Sequence, residues 1–145
     1  MDKKLLRIAF ADDDADDHLF FFDAVKRVYQ LALINNFFST RDLLDFFVRY
    51  QNVVPHIIFL DKNMPENQDF ECLIEITNTP LLQRIPVIIY STSSQRPEIA
   101  KAYQHGAKGF ITKPGTLTET MQLLRSTIRE HVPFQFEENA VPALK

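Results

Sequence analysis

His56-Ile57-Ile58-Phe59-Leu60-Asp61-Lys62-Asn63-Met64-Pro65 decides the fold of this chain. Four apolar residues without a polar interruption are too short for a helix and lack the alternation of a half-exposed strand, so they read as a strand buried on both faces. The run stops at a carboxylate and a Met-Pro turn, which places Asp61 at the rim of a sheet. A second run of the same kind, Pro86-Val87-Ile88-Ile89-Tyr90-Ser91, ends in a hydroxyl. Two such central strands imply a sheet with helices on both sides.

The remaining chain supplies those helices. Leu5 to Ala11 is a first strand that meets the acidic cluster Asp12-Asp13-Asp14-Ala15-Asp16-Asp17. Acids before a helix complement its N-terminal dipole, and Asp14 or Asp16 is the expected cap. The helix runs to about Tyr29, with Leu19, Phe22, Val25 and Val28 as the expected buried stripe. Leu31 to Phe38 is a second strand, weakened by Asn35-Asn36 and therefore expected at an edge. Ser39 opens a helix with Leu43, Leu44, Phe47 and Val48 turned inward. Phe70, Leu73 and Ile74 mark a third helix, which ends near Pro80. Arg96-Pro97 begins a fourth, carrying Ile99, Ala102 and Tyr103, and Gly106 is its C-terminal cap. Gly109 to Thr112 is a short strand before Lys113-Pro114. From Thr116 a fifth helix carries Leu117, Met121, Leu124 and Ile128 and stops at Pro133. Five strands alternating with five helices predict an α/β fold, a doubly wound five-stranded parallel sheet.

The 145 residues suit one core, with about half of them apolar and a quarter charged. One domain is expected over residues 4–131, with 132–145 a surface extension or flexible tail. Sixteen basic residues against nineteen acidic ones give a net charge of −3, and no basic stripe supports direct nucleic-acid binding. Neither a signal-peptide core nor a run of transmembrane length is present in the sequence, so the expectation is a cytoplasmic protein without a membrane partner. Cys72, on an apolar helix face, reads as a small core residue. His18, His56, His105 and His131 share no ligand spacing.

In an open parallel sheet, functional groups gather at the carboxyl ends of the strands. The ends here carry Asp12-Asp13, Asp61, Ser91 and Lys113. Three carboxylates about 5 Å apart would repel by roughly 3 kcal/mol per pair at an effective dielectric near 20, so a cation is needed. Oxygen ligands open to solvent suit Mg2+. A hydroxyl and an ammonium opposite such an ion are groups that stabilise a phosphoryl oxygen. The residues alone therefore suggest a magnesium-dependent aspartyl-phosphate site, although acids before a helix can equally be caps and Ser91 an ordinary strand-end hydroxyl.

The set Asp12-Asp13, Asp61-Lys62-Asn63-Met64-Pro65, Ser91-Thr92 and Lys113-Pro114 resembles the receiver domain of two-component response regulators, over about Lys4 to Glu130. The resemblance implies a flavodoxin-like sheet in the order 2-1-3-4-5. It implies that Asp61 accepts a phosphoryl group from a sensor histidine kinase or histidine phosphotransfer protein, with Ser91 and Lys113 as the other catalytic groups. Asp12, Asp13, Asp61 and the Asn63 main-chain carbonyl would serve Mg2+, Asp12 through water. Ser91 and Phe110 would form the switch, Thr92 would tune access, and Lys113-Pro114 would be a cis step. The face made by the fourth and fifth helices and the last strand would carry the signal to a downstream protein or a homodimer. With no effector domain following, output through protein contacts is the expectation.

Three positions depart from that pattern. Asp69, within Glu66-Asn67-Gln68-Asp69-Phe70, stands at the glycine position of the turn, Thr92 stands where alanine is common, and Gly115 replaces an apolar residue. Two other protein classes share part of this pattern. A haloacid-dehalogenase-type phosphohydrolase also uses Asp, magnesium, a hydroxyl and a lysine, but it needs a further acidic motif downstream. A pseudo-receiver that only binds partners would not need the complete acidic set with Lys113.

Overall fold

The structure is a computed structural model and describes residues 5–65, 68–92 and 95–143. The ten main elements alternate along the chain. They are β1 (Arg7–Ala11), α1 (Ala15–Val28), β2 (Leu33–Phe37), α2 (Thr40–Arg49), β3 (Ile57–Asp61), α3 (Glu71–Thr77), β4 (Val87–Ser91), α4 (Arg96–Gln104), β5 (Gly109–Thr112) and α5 (Leu117–His131). The five strands form one parallel sheet in the order β2-β1-β3-β4-β5, the flavodoxin-like topology.

Side-chain alternation along the strands divides the core into two layers. Ile8, Phe10, Ile57, Phe59, Ile88 and Tyr90 face α1 and α5, where they meet Phe21, Val25, Val28, Met121, Leu124 and Ile128. Ala9, Ala11, Ile58, Leu60 and Ile89 face the other way, onto Leu43, Phe47, Leu73, Ile76 and Ala102 of α2, α3 and α4. Every residue of β3 and β4 is buried, which is why both segments read as continuous apolar runs. β2 lies at the edge, with Asn35 half-buried and Asn36 exposed.

The buried stripe of α1 differs from expectation. Phe21, Ala24, Val25 and Val28 are buried, whereas Leu19 is 69% exposed and Phe22 44% exposed. Steps of three residues fall 60° short of a full turn each time, so Leu19 and Val28 lie on opposite sides of the helix; the 3-4 alternation of the observed stripe cancels that drift. In α2, Leu43, Leu44 and Phe47 point inward, but Val48 is 56% exposed. In α4, Ala102 is buried and Tyr103 is exposed. Cys72 is buried, and Asp14 is the α1 cap, its carboxylate accepting from the N–H groups of Asp16 and Asp17.

Residues 132–143 do not project freely. Phe136 and Val141 pack against the α1–α5 layer. The Asn139 N–H donates to the Val28 carbonyl at 2.7 Å and its side-chain amide to the Arg27 carbonyl at 3.0 Å, so Asn139 closes the C-terminal end of α1. Glu138 accepts from the buried Tyr29 hydroxyl and from the Arg129 guanidinium. The surface extension is thus joined to the body of the domain by side-chain hydrogen bonds that link positions 109 and 112 residues apart.

Candidate functional site

Strand order reverses at β1, because the chain leaves it for β2 on one side and returns to β3 on the other. The crevice beyond the carboxyl ends of β1 and β3 is therefore open to a ligand. Ala11 pairs with Leu60, so Asp12 and Asp61 emerge side by side. Asp13 follows on the same rim, and one oxygen from each of Asp12, Asp13 and Asp61 lies within 4.8 Å of the others. Asp12 and Asp61 are buried, and Asp13 is exposed.

Local backbone geometry fixes both buried acids. The Asp14 N–H donates to Asp12 Oδ1 at 2.9 Å and the Asn63 N–H to Asp61 Oδ1 at 3.0 Å, so each carboxylate nucleates the turn that follows it. β5 brings Lys113 to the same mouth, where its N–H donates to the Ser91 carbonyl at 2.7 Å. Lys113 Nζ then donates to Asp12 Oδ2 at 3.0 Å and to Asp17 Oδ2 at 2.8 Å, and it lies 3.7 Å from Asp61 Oδ1. Among the described residues no peptide bond is cis, so Lys113–Pro114 is trans, contrary to expectation. The main-chain bond to Ser91 and the long side chain aim the ammonium without a cis step.

The electrostatics are those of an acidic site with too little positive charge. Burial, reinforced by the charge on Asp61, pushes the Asp12 carboxyl up to about 7 despite the hydrogen bonds from Asp14 and Lys113. Burial and the charge on Asp13 also raise Asp61 above the ordinary carboxylate range. Burial works to lower Lys113, but the hydrogen bonds to Asp17 and Asp12 and the charge of Asp61 outweigh it and hold the ammonium above the ordinary lysine range. Three carboxylates and one ammonium leave excess negative charge beside an oxygen-only donor set, the chemistry that fits a hard divalent cation.

Ser91 is fully buried, and Thr92 is exposed at the mouth. The Asn63 side-chain amide joins them, donating to Ser91 Oγ at 3.3 Å and to Thr92 Oγ1 at 3.0 Å. Phe110 is half-buried against the α2–α3–α4 layer. The turn after Asp61 includes Asp69 at φ 51° and ψ 35°, and the next residue, Phe70, is also left-handed at φ 61°. Asp tolerates this region better than most residues, whereas Phe70 is held there by burial of its ring. Glu66 and Asn67 of the same turn lie outside the described residues.

Two contacts to this site were not anticipated. His18, buried between the rings of Phe10 and Phe38, hydrogen-bonds through Nε2 to the Asp12 carbonyl at 2.8 Å and through Nδ1 to Asn36 Oδ1 at 3.0 Å. Asp17 is the closest carboxylate to Lys113. Both positions lie on the inward side of α1, four and three residues before Phe21, a periodicity that the sequence carries.

The sequence profile described as "Response regulator receiver domain" matches residues 15–125. The chain belongs to the receiver domain family. Its relatives include the response regulator Rcp1 of Synechocystis sp. (strain ATCC 27184 / PCC 6803 / Kazusa), 31% identical over 71 residues, or 49% of this chain and 48% of that protein. The two-component response regulator ORR13 of Oryza sativa subsp. japonica is 29% identical over 51% of this chain and 70% of its own length. The match to the Synechocystis relative thus spans about half of that protein. Among solved structures, the phosphorylated cyanobacterial phytochrome response regulator RcpA superposes with a TM-score of 0.77 at 24% identity, covering 90% of this chain and all of that one. The Mn(2+)-bound form of Rcp1 gives 0.71 at 22% identity, covering 95% and 99%. At these identities the superpositions speak for the receiver fold. The family match displaces the haloacid-dehalogenase-type alternative. Asp12 and Asp13 precede the matched residues, and it is the geometry above that brings them beside Asp61.

Proposed function

We propose that this chain is a cytoplasmic phosphoacceptor of a two-component relay and that Asp61 receives the phosphoryl group. The observation that carries this reading is the convergence of buried Asp12 and Asp61, exposed Asp13 and the Lys113 ammonium at the mouth beyond β1 and β3. The donor is a phosphohistidine of a sensor histidine kinase or a histidine phosphotransfer protein. An oxygen of ionised Asp61 forms the new bond to phosphorus as the P–N bond breaks, and the departing imidazole nitrogen keeps the electron pair and takes up a proton. Asp12, Asp13, Asp61 and the Asn63 carbonyl would hold Mg2+, which when bound supplies positive charge opposite the phosphoryl oxygens.

The protein's own groups complete the site. Lys113 Nζ, 3.7 Å from Asp61 Oδ1, offers positive charge to the incoming group. The Ser91 hydroxyl can donate to a phosphoryl oxygen while still accepting from Asn63, or by leaving it. Its movement would open the layer behind β4 to Phe110 and alter the α4–β5–α5 face, through which a downstream protein or a second copy would be contacted. The Asn63–Thr92 bond spans the mouth, which supports Thr92 as the residue that tunes access.

The test is incubation with Mg2+ and phosphoramidate or acetyl phosphate, followed by intact-mass measurement. One hydroxylamine-labile phosphoryl group is expected on the wild type and none on Asp61→Asn. No adduct with either donor would refute the phosphoacceptor reading.

A further inference from the structure

Lys113 is bonded more closely to Asp17 than to the acid it is meant to serve. Its ammonium is 2.8 Å from Asp17 Oδ2 and 3.0 Å from Asp12 Oδ2, but 3.7 Å from Asp61 Oδ1, beyond hydrogen-bond reach. Resting on the phosphoacceptor reading, we propose that Asp17 is a positioning residue: it tethers Lys113 to the first turn of α1 in the resting site and so opposes its engagement with a phosphoryl group on Asp61.

Helix capping does not account for Asp17. The side chain that satisfies the free N–H groups at the start of α1 belongs to Asp14, which accepts from both Asp16 and Asp17. Asp17 falls instead at the head of the inward stripe that continues through Phe21, Ala24 and Val28, so its carboxylate is turned to the end of the sheet. Its neighbours Asp14 and Asp16 are exposed, while Asp17 is only half so. The remaining side of the ammonium lies 5.6 Å from the centre of the buried Tyr90 ring. Lys113 is thus held from α1, β1 and β4, with its side chain 11% exposed.

Two effects of the tether have the same sign. Geometrically, the bonds to Asp17 and Asp12 take two of the three ammonium N–H groups, and the one to Asp17 draws Nζ toward α1, leaving it 3.7 Å from Asp61 Oδ1. Electrostatically, the Asp17 charge repels an incoming phosphoryl oxygen and offsets the lysine that attracts it. Removing the charge while keeping the shape therefore favours the phosphorylated arrangement. A pair whose carboxylate side chain is 36% exposed is screened on one side, which limits the gain to roughly threefold to tenfold in affinity. Loss of a merely structural contact would move the same affinity downward or leave it alone.

The experiment compares the wild-type chain with Asp17→Asn and Asp17→Glu in two measurements. The first follows hydrogen exchange of the Lys113 ammonium by NMR without any phosphoryl donor. Faster exchange in Asp17→Asn, with protection partly restored in Asp17→Glu, is expected. The second titrates beryllofluoride, a phosphoryl mimic, at saturating Mg2+. Affinity about threefold to tenfold tighter is expected for Asp17→Asn. Unchanged exchange, or beryllofluoride binding that is equal or weaker in Asp17→Asn, would overturn the tether. If the wild type takes up no beryllofluoride, it is the phosphoacceptor reading that has failed; the exchange comparison then decides the tether alone.

Discussion

Converting Asp12 to Asn should stabilise the metal-free protein at neutral and alkaline pH while leaving it little changed in acid. Asp12 is completely buried, and its oxygens share a 4.8 Å cluster with those of Asp13 and Asp61. At that separation two carboxylate charges repel by about 3.5 kcal/mol at an effective dielectric of 20. The Lys113 ammonium offsets part of this, but burial prevails and the carboxyl is pushed up to about 7 from 3.8. A rise of that size corresponds to about 4 kcal/mol. Because the folded-state pKa lies above the unfolded one, folding takes up a proton between about pH 4 and 7. The favourable contribution is complete below about pH 4 and is lost as the pH rises through about 7. Water at the mouth reduces the effect, so about 2 to 4 kcal/mol is the expected range, or roughly 6 to 12 °C in Tm for a chain of this size. Asn at position 12 retains an oxygen for the Asp14 N–H but does not titrate. Thermal unfolding in a chelator from about pH 5 to pH 8 should show the wild type losing stability relative to Asp12→Asn, and saturating Mg2+ should remove the difference. Parallel curves across that range, or a less stable Asp12→Asn at pH 8, would refute the electrostatic account of the site.

Three further substitutions probe the scaffold around it. Asp69→Gly, at φ 51°, should raise stability by about 1 kcal/mol in denaturant titrations, because glycine adopts this conformation without a Cβ clash. Gly106→Ala should lower it by about 1 to 3 kcal/mol in the same assay, since Gly106 has φ 105° and an added Cβ would lie 3.0 Å from Thr77 Cγ2. Glu138→Gln should cost about 1 kcal/mol by weakening the link between Tyr29 and Arg129. Burial works to raise the Glu138 carboxyl, but the Arg129 and Tyr29 bonds outweigh it and hold it below its ordinary value. That stability should therefore be present above the unfolded-state pKa and disappear as the pH falls through the folded one, and the pH dependence of Tm in Glu138→Gln should lack this acid-side loss.

The sheet was legible because β3 and β4 are buried on both faces, which turns the strand into an unbroken apolar run, Ile57 to Leu60 or Val87 to Tyr90. Once the strands are parallel, their carboxyl ends share one edge, so Asp12, Asp61, Ser91 and Lys113 converge from their positions in the chain alone. Helix faces were harder. The α1 sequence offers apolar residues all round its circumference, and a three-residue spacing selected Leu19 and Phe22, although only the 3-4 alternation stays on one side. The same choice concealed Asp17 and His18, which head the true inward stripe. The course of residues 132–143 had no local signal. Asn139 caps a helix ending at Val28, and no periodicity in either segment announces a partner more than a hundred residues away.

Whether Asp61 is the phosphoacceptor is decided by locating the acyl phosphate. After phosphorylation with acetyl phosphate and Mg2+, borohydride reduction converts a phosphorylated aspartate to homoserine, and peptide mass mapping finds the residue changed. Reduction at Asp61 alone is expected. Reduction at Asp12, Asp13 or Asp17, or none in a protein shown to carry the phosphoryl group, would contradict that role.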